Sequence, residues 1–258
     1  RTVDLMGNEA DGRAADGGAV FMISRLPSAL VLERAQMADL REDDLATIPP
    51  PPGKSMNVLA NVQNREPDFV LNSSESVRNL YAGNPETVAR TWKGPSDLSA
   101  RIWIGRKEES LHLRFAVRDD VESQRFSSAQ MYLGDSIQFI VQSMHQNGNF
   151  EFGVARNDQG DPLVHVWIVP AGFDAQRVTR QVQLKTGRKR DITWYDVRIP
   201  LSAIGFDEQT LAGGFRFNAI VYDDDGAGAE RDGWIEIVPG IAGKKEYSDA
   251  PFVRIGDK

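Results

Sequence analysis

Tyr132 is the residue whose type and surroundings best suit contact with a small polar ligand. It stands just before Gly134-Asp135-Ser136, where a new strand-like run begins. The flat apolar face of an aromatic ring suits the C–H face of a pyranose, and polar groups beside the ring then set the orientation of the sugar. A solvent-facing aromatic next to a polar strand is therefore a candidate sugar contact.

A second candidate is acidic. Asp223, Asp224 and Asp225 are consecutive, and Asp232 follows them. Carboxylate oxygens are the ligands that calcium prefers, but no Glu closes a twelve-residue loop of the helix-loop-helix kind. The same run also has the composition of a solvated hairpin turn, and this interpretation is the one we favour.

Enzymatic chemistry has little support in this sequence. The histidines His112, His145 and His165 are far apart, and there is no H-E-x-x-H pattern, G-x-S-x-G elbow or phosphate-binding glycine loop. A glycosidase needs only two facing carboxylates, which 37 acidic residues do not exclude, but no pattern nominates a pair. We therefore expect this chain to be non-catalytic.

Composition limits the partners. The net charge is -7, so nucleic acid is not an expected partner. No apolar run approaches the roughly 20 residues of a membrane helix, so no membrane contact is expected. The chain has no cysteine, which fits a secreted or periplasmic bacterial protein. It begins at Arg1 without an initiator Met, which predicts a processed protein or a part of a longer one.

Alternation with a period of two predicts an all-β fold. In the run LHLRFAVRD, apolar Leu111, Leu113, Phe115 and Val117 alternate with other residues, so one row faces a core. Turn signals separate further candidate strands, which favours an antiparallel β-sandwich of the immunoglobulin or jelly-roll kind. These candidates are 150–155, 163–169, 177–185, 192–199, 215–222 and 234–237, with one helical turn at 200–204. Trp103 and Trp167 lie within such strands and are expected in the core.

The N-terminal part differs in character. Short apolar strands at 19–23 and 28–32 look like the closing strands of another β-domain, and the prolines at 49–52 form a spacer. We therefore divide the chain into an upstream accessory β-domain end with linker at 1–48, a proline-rich linker and strand at 49–66, and a β-sandwich at 67–258.

The order of motifs in the C-terminal part resembles the family 9 carbohydrate-binding modules and their DOMON-like sandwich relatives. These motifs are WKGPSDLSA, LHLRFAVRDD, YLGDSIQF, WYDVRIPLSAIGF, FRFNAIVYDDDG and RDGWIEIVPGI. The N-terminal part resembles the end of the accessory β-sandwich that follows the catalytic barrel in large glycoside hydrolases. The resemblance implies a parent enzyme whose catalytic domain lies upstream.

The resemblance also implies site residues. In sugar-binding members, two aromatics sandwich a terminal sugar while a polar residue bonds its hydroxyls. Tyr132 matches the first aromatic, usually Trp, Gln138 matches the polar residue, usually an acid, and Tyr247 lies near the second aromatic. The family often carries structural calcium near its loops, so Asp119 and Asp120 join Asp223 and Asp225 as candidate ligands.

The resemblance implies a non-catalytic module that binds a poly- or oligosaccharide and targets a linked polysaccharide-degrading glycoside hydrolase to its glycan. An alternative is a structural accessory β-sandwich that packs on the catalytic domain and binds no sugar. Two tyrosines in place of tryptophans, and Ile220 where sugar-binding members carry a polar residue, keep this alternative open.

Overall fold

The structure of this chain is a computed structural model. It describes residues 2–4, 9–10, 13–15, 18–20, 28–30, 55–59, 62, 65–78, 92–144, 146, 148–226, 231–242 and 245–256. The chain divides into two units, Arg1–Pro51 and Pro52–Lys258. The predicted proline spacer at 49–52 and His145 lie outside the described residues.

Five short strands are described in the first unit. A three-stranded antiparallel sheet has the order β2-β1-β5, and β3 pairs with β4. The predicted strands at 19–23 and 28–32 overlap β4 and β5. The bounds are β1 (Thr2–Asp4), β2 (Glu9–Ala10), β3 (Arg13–Ala15), β4 (Gly18–Val20) and β5 (Ser28–Leu30).

The described part of the second unit holds thirteen strands. They are β6 (Ser55–Leu59), β7 (Phe69–Leu71), β8 (Val77–Arg78), β9 (Leu98–Lys107), β10 (Ser110–Asp119), β11 (Ser136–Ser143), β12 (Phe150–Arg156), β13 (Pro162–Ile168), β14 (Gln183–Lys189), β15 (Ile192–Pro200), β16 (Phe215–Asp223), β17 (Gly233–Glu236) and β18 (Phe252–Gly256).

These strands form two sheets. A five-stranded sheet has the order β14-β15-β10-β9-β7, and an eight-stranded sheet has the order β13-β12-β11-β16-β17-β8, with β18 pairing with both β16 and β6. The pairs are antiparallel except β18 with β6, which are parallel. The predicted antiparallel all-β sandwich is confirmed. Strand β6, which the sequence places in the linker segment, pairs with the last strand of the sandwich.

The core lies between the two sheets. On β10, Leu111, Leu113 and Phe115 are fully buried, as their alternation predicts. From the facing sheet, Phe139 stacks on Phe152 with ring centroids 5.1 Å apart. Burying a side chain of this size contributes about 1.5–3 kcal/mol, so the aromatic layer is a main source of sandwich stability.

In the described part of the chain, three short helices and one 3₁₀ helix connect the strands. The prediction of a strand at 177–185 is wrong in its first half, because α1 (Ala175–Gln181) precedes β14 there. The Asp174 side chain accepts a hydrogen bond from Arg177 N at 2.6 Å, which satisfies a free amide of the first turn. The others are α2 (Leu201–Ile204), which matches the predicted helical turn, α3 (Glu208–Gly213) and the 3₁₀ helix Ser128–Leu133. No helix in the described ranges is long and apolar enough to cross a membrane.

The prediction that Trp103 and Trp167 lie in the core is wrong, because both side chains lie on the outer faces of their sheets. Trp103 alternates with the buried residues Ile102 and Ile104 on β9, so its ring lies on the outer face, where Arg114 covers it at 6.0 Å. Trp167 likewise lies on the outer face of β13, while Val166 of the same strand joins the core.

Candidate functional site

A cleft of about 410 Å³ opens on the outer face of the eight-stranded sheet. Strand β11 shows how the sequence builds it: Ile137, Phe139 and Val141 join the core, while Gln138 and Ile140 point to the opposite face. The residues that line the cleft are Ala129, Tyr132, Gln138, Glu151, Trp167, Ile168, Tyr222, Arg231, Ile241, Ala242 and Lys245.

Trp167 forms an aromatic wall of the cleft. Its ring lies against Gly153 of the neighbouring strand so closely that a Cβ at this glycine would stand 2.4 Å from a ring atom. The indole Nε1 donates a hydrogen bond to Ala129 O at 3.0 Å, which fixes the rotation of the ring. Tyr132 meets Trp167 edge-on, with centroids 6.5 Å apart and an interplanar angle of 65°. The two rings therefore make an aromatic corner.

Gln138 supplies a fixed polar group beside this corner. It is 4% exposed, and its Oε1 accepts a hydrogen bond from the Tyr222 hydroxyl at 2.7 Å. Its Nε2 donates to Glu151, which makes this amide orientation the one that satisfies both neighbours. Burial raises the pKa of Tyr222, so this hydroxyl remains a donor.

Glu151 is a buried carboxylate with three donors around it. Besides Gln138, it accepts from Lys245 Nζ at 2.7 Å and from the Tyr247 hydroxyl at 2.7 Å. Burial, with the hydrogen bond to Glu151, raises the pKa of Tyr247, which keeps that phenol protonated. These contacts compensate the cost of burying a carboxylate that is only 1% exposed.

Arg231 closes another side of the cleft. Its guanidinium carbon lies 5.1 Å from the ring centroid of Tyr132, 4.6 Å from that of Tyr222 and 5.2 Å from that of Trp234. Its Nη1 donates to Tyr132 O at 2.9 Å. Three ring faces and one carbonyl thus hold this cation in place.

The structure places the sequence-predicted residues close to this cleft but in unequal roles. Tyr132 and Gln138 line it, whereas Tyr247 contacts it through Glu151. Sequence reasoning missed Trp167, Glu151 and Arg231. The sequence did contain a signal for Trp167. In the alternation of β13 it falls on the same side of the strand as the polar residue His165, and no core residue of β13 lies on that side.

The acidic candidates for a metal site lie at one end of the sandwich, where Asp119 is the last residue of β10 and Asp223 the last residue of β16. Asp119, Asp223 and Asp224 are at most 4% exposed, so the interpretation of 223–225 as a solvated hairpin is wrong for its first two residues. Asp120 is exposed, and Asp225 is paired with Lys93 at 3.1 Å.

Burial dominates the electrostatics of this acidic end. It raises the pKa of Asp119 to about 6 and that of Asp223 to about 9, and each is a like-charge neighbour of other carboxylates. Burial and the charge of Asp119 also raise the pKa of Asp135, although this carboxylate accepts from Ser123 N at 2.6 Å and Asp224 N at 2.8 Å. Among the described residues, no three acidic or histidine side chains converge closely enough to hold a metal ion.

Comparison with known proteins gives a fold relationship. No protein-family model and no curated protein sequence matches this chain. A family 9 carbohydrate-binding module from Caldicellulosiruptor kristjanssonii, solved with glucose, is similar at a TM-score of 0.50 and 15% identity over 80% of this chain and 97% of the module. A second structure from that organism, a family 9 module with cellotriose, has a TM-score of 0.49 and 14% identity over 80% and 95%. This chain therefore contains a β-sandwich with the fold of a family 9 carbohydrate-binding module.

Proposed function

We propose that the cleft on the eight-stranded sheet binds a saccharide and that this chain is a non-catalytic carbohydrate-binding unit. The observation that carries the proposal is the aromatic corner of Trp167 and Tyr132 next to the fixed amide of Gln138. A sugar ring stacks its apolar face on such a wall, and its hydroxyls bond to polar groups whose orientation is already set.

The ligand of a similar module supports this choice. The family 9 module from Caldicellulosiruptor kristjanssonii that is similar at a TM-score of 0.50 was solved with glucose. A neutral or substituted oligosaccharide is thus the first ligand class to test. Tyr132, which the sequence predicts as a sugar contact, lines this cleft.

The carboxylates of the cleft support binding rather than hydrolysis. Among the described lining residues Glu151 is the single acid, and its charge is paired with Lys245. Glycoside hydrolysis usually employs two carboxyl groups on either side of the scissile bond. We propose that a secreted or periplasmic glycoside hydrolase, linked in the same polypeptide, gains effective concentration on its glycan through this unit.

Calorimetric titration of the chain with a panel of plant and algal oligosaccharides tests the proposal. We expect binding to at least one glycan, with Trp167→Ala weakening it at least tenfold, since aromatic stacking contributes about 0.5–1.5 kcal/mol beyond the apolar area that it buries and tenfold in affinity is about 1.4 kcal/mol. Tyr132→Ala should weaken it less.

Trp194→Ala is the matched control for this experiment. Trp194 is 39% exposed on the other sheet and lies over Gly187 as Trp167 lies over Gly153. We expect this variant to keep full affinity. Absence of binding across the panel would reject the proposal in favour of a structural sandwich that packs on a catalytic domain.

We propose in addition that calcium binds at the acidic end of the sandwich, with Asp119 and Asp223 as ligands and Asp225 and Asp120 beside them. Burial and then the proximity of Asp119 raise the pKa of Asp223, and a divalent cation bound beside both carboxyls would stabilise their ionised forms instead. For a site with a Kd of about 10 µM, calcium at 1 mM is at about 100 times the Kd, and we expect it to add about 2.7 kcal/mol to the free energy of unfolding. Asp223→Asn should remove the gain and exposed Asp249→Asn should not; an unchanged unfolding midpoint on adding calcium would reject the site.

A further inference from the structure

The cleft differs in charge from the chain as a whole. The chain carries a net charge of -7, whereas the described lining residues include the two cations Arg231 and Lys245 and the single acid Glu151. Their sum is one positive charge. A cationic cleft on an acidic protein attracts a negatively charged ligand.

Glu151 and Lys245 neutralise each other. Lys245 Nζ lies 2.7 Å from Glu151 Oε1, and the Tyr247 hydroxyl donates to the other oxygen of this carboxylate. The negative charge of Glu151 is therefore already compensated, and it offers little repulsion to an anion in the cleft. Among the charged lining residues that the structure describes, the remaining charge is that of Arg231.

Arg231 has no acidic partner in the part of the chain that the structure describes. Its contacts there are the three rings and the Tyr132 carbonyl, and its Nε is buried without a hydrogen-bond partner. A guanidinium presents a planar set of donors that matches the two oxygens of a carboxylate or of a sulfate ester. The surrounding rings hold it in advance, which lowers the entropy lost on binding.

We propose that the cleft takes a saccharide that carries an anionic group, a uronate carboxylate or a sulfate ester, and that Arg231 pairs with this group. The inference rests on the proposed function of the cleft. Tyr132 links the two parts of the site, because Arg231 stacks on its ring and Trp167 meets its edge. A sugar ring on the aromatic corner thus has its substituents next to the guanidinium.

Calorimetric titration of the full chain with matched oligosaccharides tests the inference. The probes are digalacturonate, a sulfated galactobiose and neutral galactobiose, together with cellobiose and cellobiouronate. We expect an anionic member of a pair to bind at least tenfold more tightly than its neutral counterpart at low salt, with the preference reduced at 0.5 M NaCl. A preference for the uronates or for the sulfated sugar identifies which anion the site takes.

Arg231→Gln should abolish the preference, so that the anionic and the neutral member of each pair bind this variant with equal affinity. Arg254→Gln is the matched control, since Arg254 also stacks on a ring, that of Phe252 at 5.0 Å, and donates to the carbonyl of Gly213. Two results overturn the inference and leave saccharide binding intact. One is equal binding of charged and neutral sugars by the wild-type chain, and the other is a preference that survives Arg231→Gln in a folded variant. Failure of every sugar to bind rejects the proposed function itself.

Discussion

Gly153 controls the position of the Trp167 ring. A Cβ at this residue would lie 2.4 Å from the indole and 2.6 Å from Met131 Sδ, so Gly153→Ala must displace the ring or the sulfur. The backbone there has no positive φ, so the cost comes from crowding and not from the chain conformation. We expect this variant to lose about 1–3 kcal/mol of stability, as overpacking typically does, and to bind saccharide at least tenfold more weakly.

The matched control is Gly187→Ala on the other sheet. A Cβ there would stand 2.5 Å from the Trp194 ring, so the crowding is the same but the cleft is remote. Chemical unfolding and calorimetric titration of both variants check the prediction. Equal affinity of Gly153→Ala and Gly187→Ala for the sugar would show that the Trp167 ring does not act as a platform.

At the scale of single elements, strand β13 shows what the sequence reveals and what it hides. The period of two correctly predicts a strand here, and within it Val166 faces the core. The error lay in assigning Trp167 to the core because of its size, whereas its parity with His165 puts it outside. Its partner Gly153 comes from another strand, so the space for the ring depends on pairing that a single strand does not show.

Helix α1 shows a different limit. Val178 within the helix and Val182 just after it are four apart, which suits a helix, but Leu184 continues an alternating pattern into β14. Over such a short segment both periods fit. The Asp174 cap was the sequence signal that distinguishes them, because Asp is preferred where a helix begins.

At the scale of the whole molecule, the sandwich was predictable and the interior polar groups were not. The alternating strands and the order of turns indicate the fold, and the structure confirms it with Phe115 and Phe139 in contact across the core at 5.8 Å. The cleft needed residues from four strands, one 3₁₀ helix and two loops. Glu151 contacts Lys245, 94 positions away, and Arg231 contacts Tyr132, 99 positions away, and no local pattern encodes such contacts.

The buried acids at one end of the sandwich predict an unusual pH dependence of stability. Asp119 and Asp223 have raised pKa values of about 6 and about 9 in the folded chain, against roughly 3.9 when unfolded. Between pH 5 and 8 these two carboxyls therefore bind fewer protons in the unfolded chain than in the folded one, and the stability that they contribute falls as the pH rises. Each carboxyl still protonated in the folded chain contributes a slope of about 1.4 kcal/mol per pH unit.

Urea unfolding in EDTA at pH 5, 6.5 and 8 checks this prediction. We expect the unfolding free energy to be highest at pH 5, and Asp223→Asn to flatten the profile because it removes the carboxyl with the larger shift. His165 opposes the trend, since burial lowers its pKa and its protonation below pH 6.5 favours unfolding. The difference between wild type and Asp223→Asn cancels that contribution. If the difference in unfolding free energy between wild type and Asp223→Asn does not grow with pH, Asp223 ionises normally in the folded chain. If added calcium reverses the wild-type trend, a cation offsets the charge of this carboxylate.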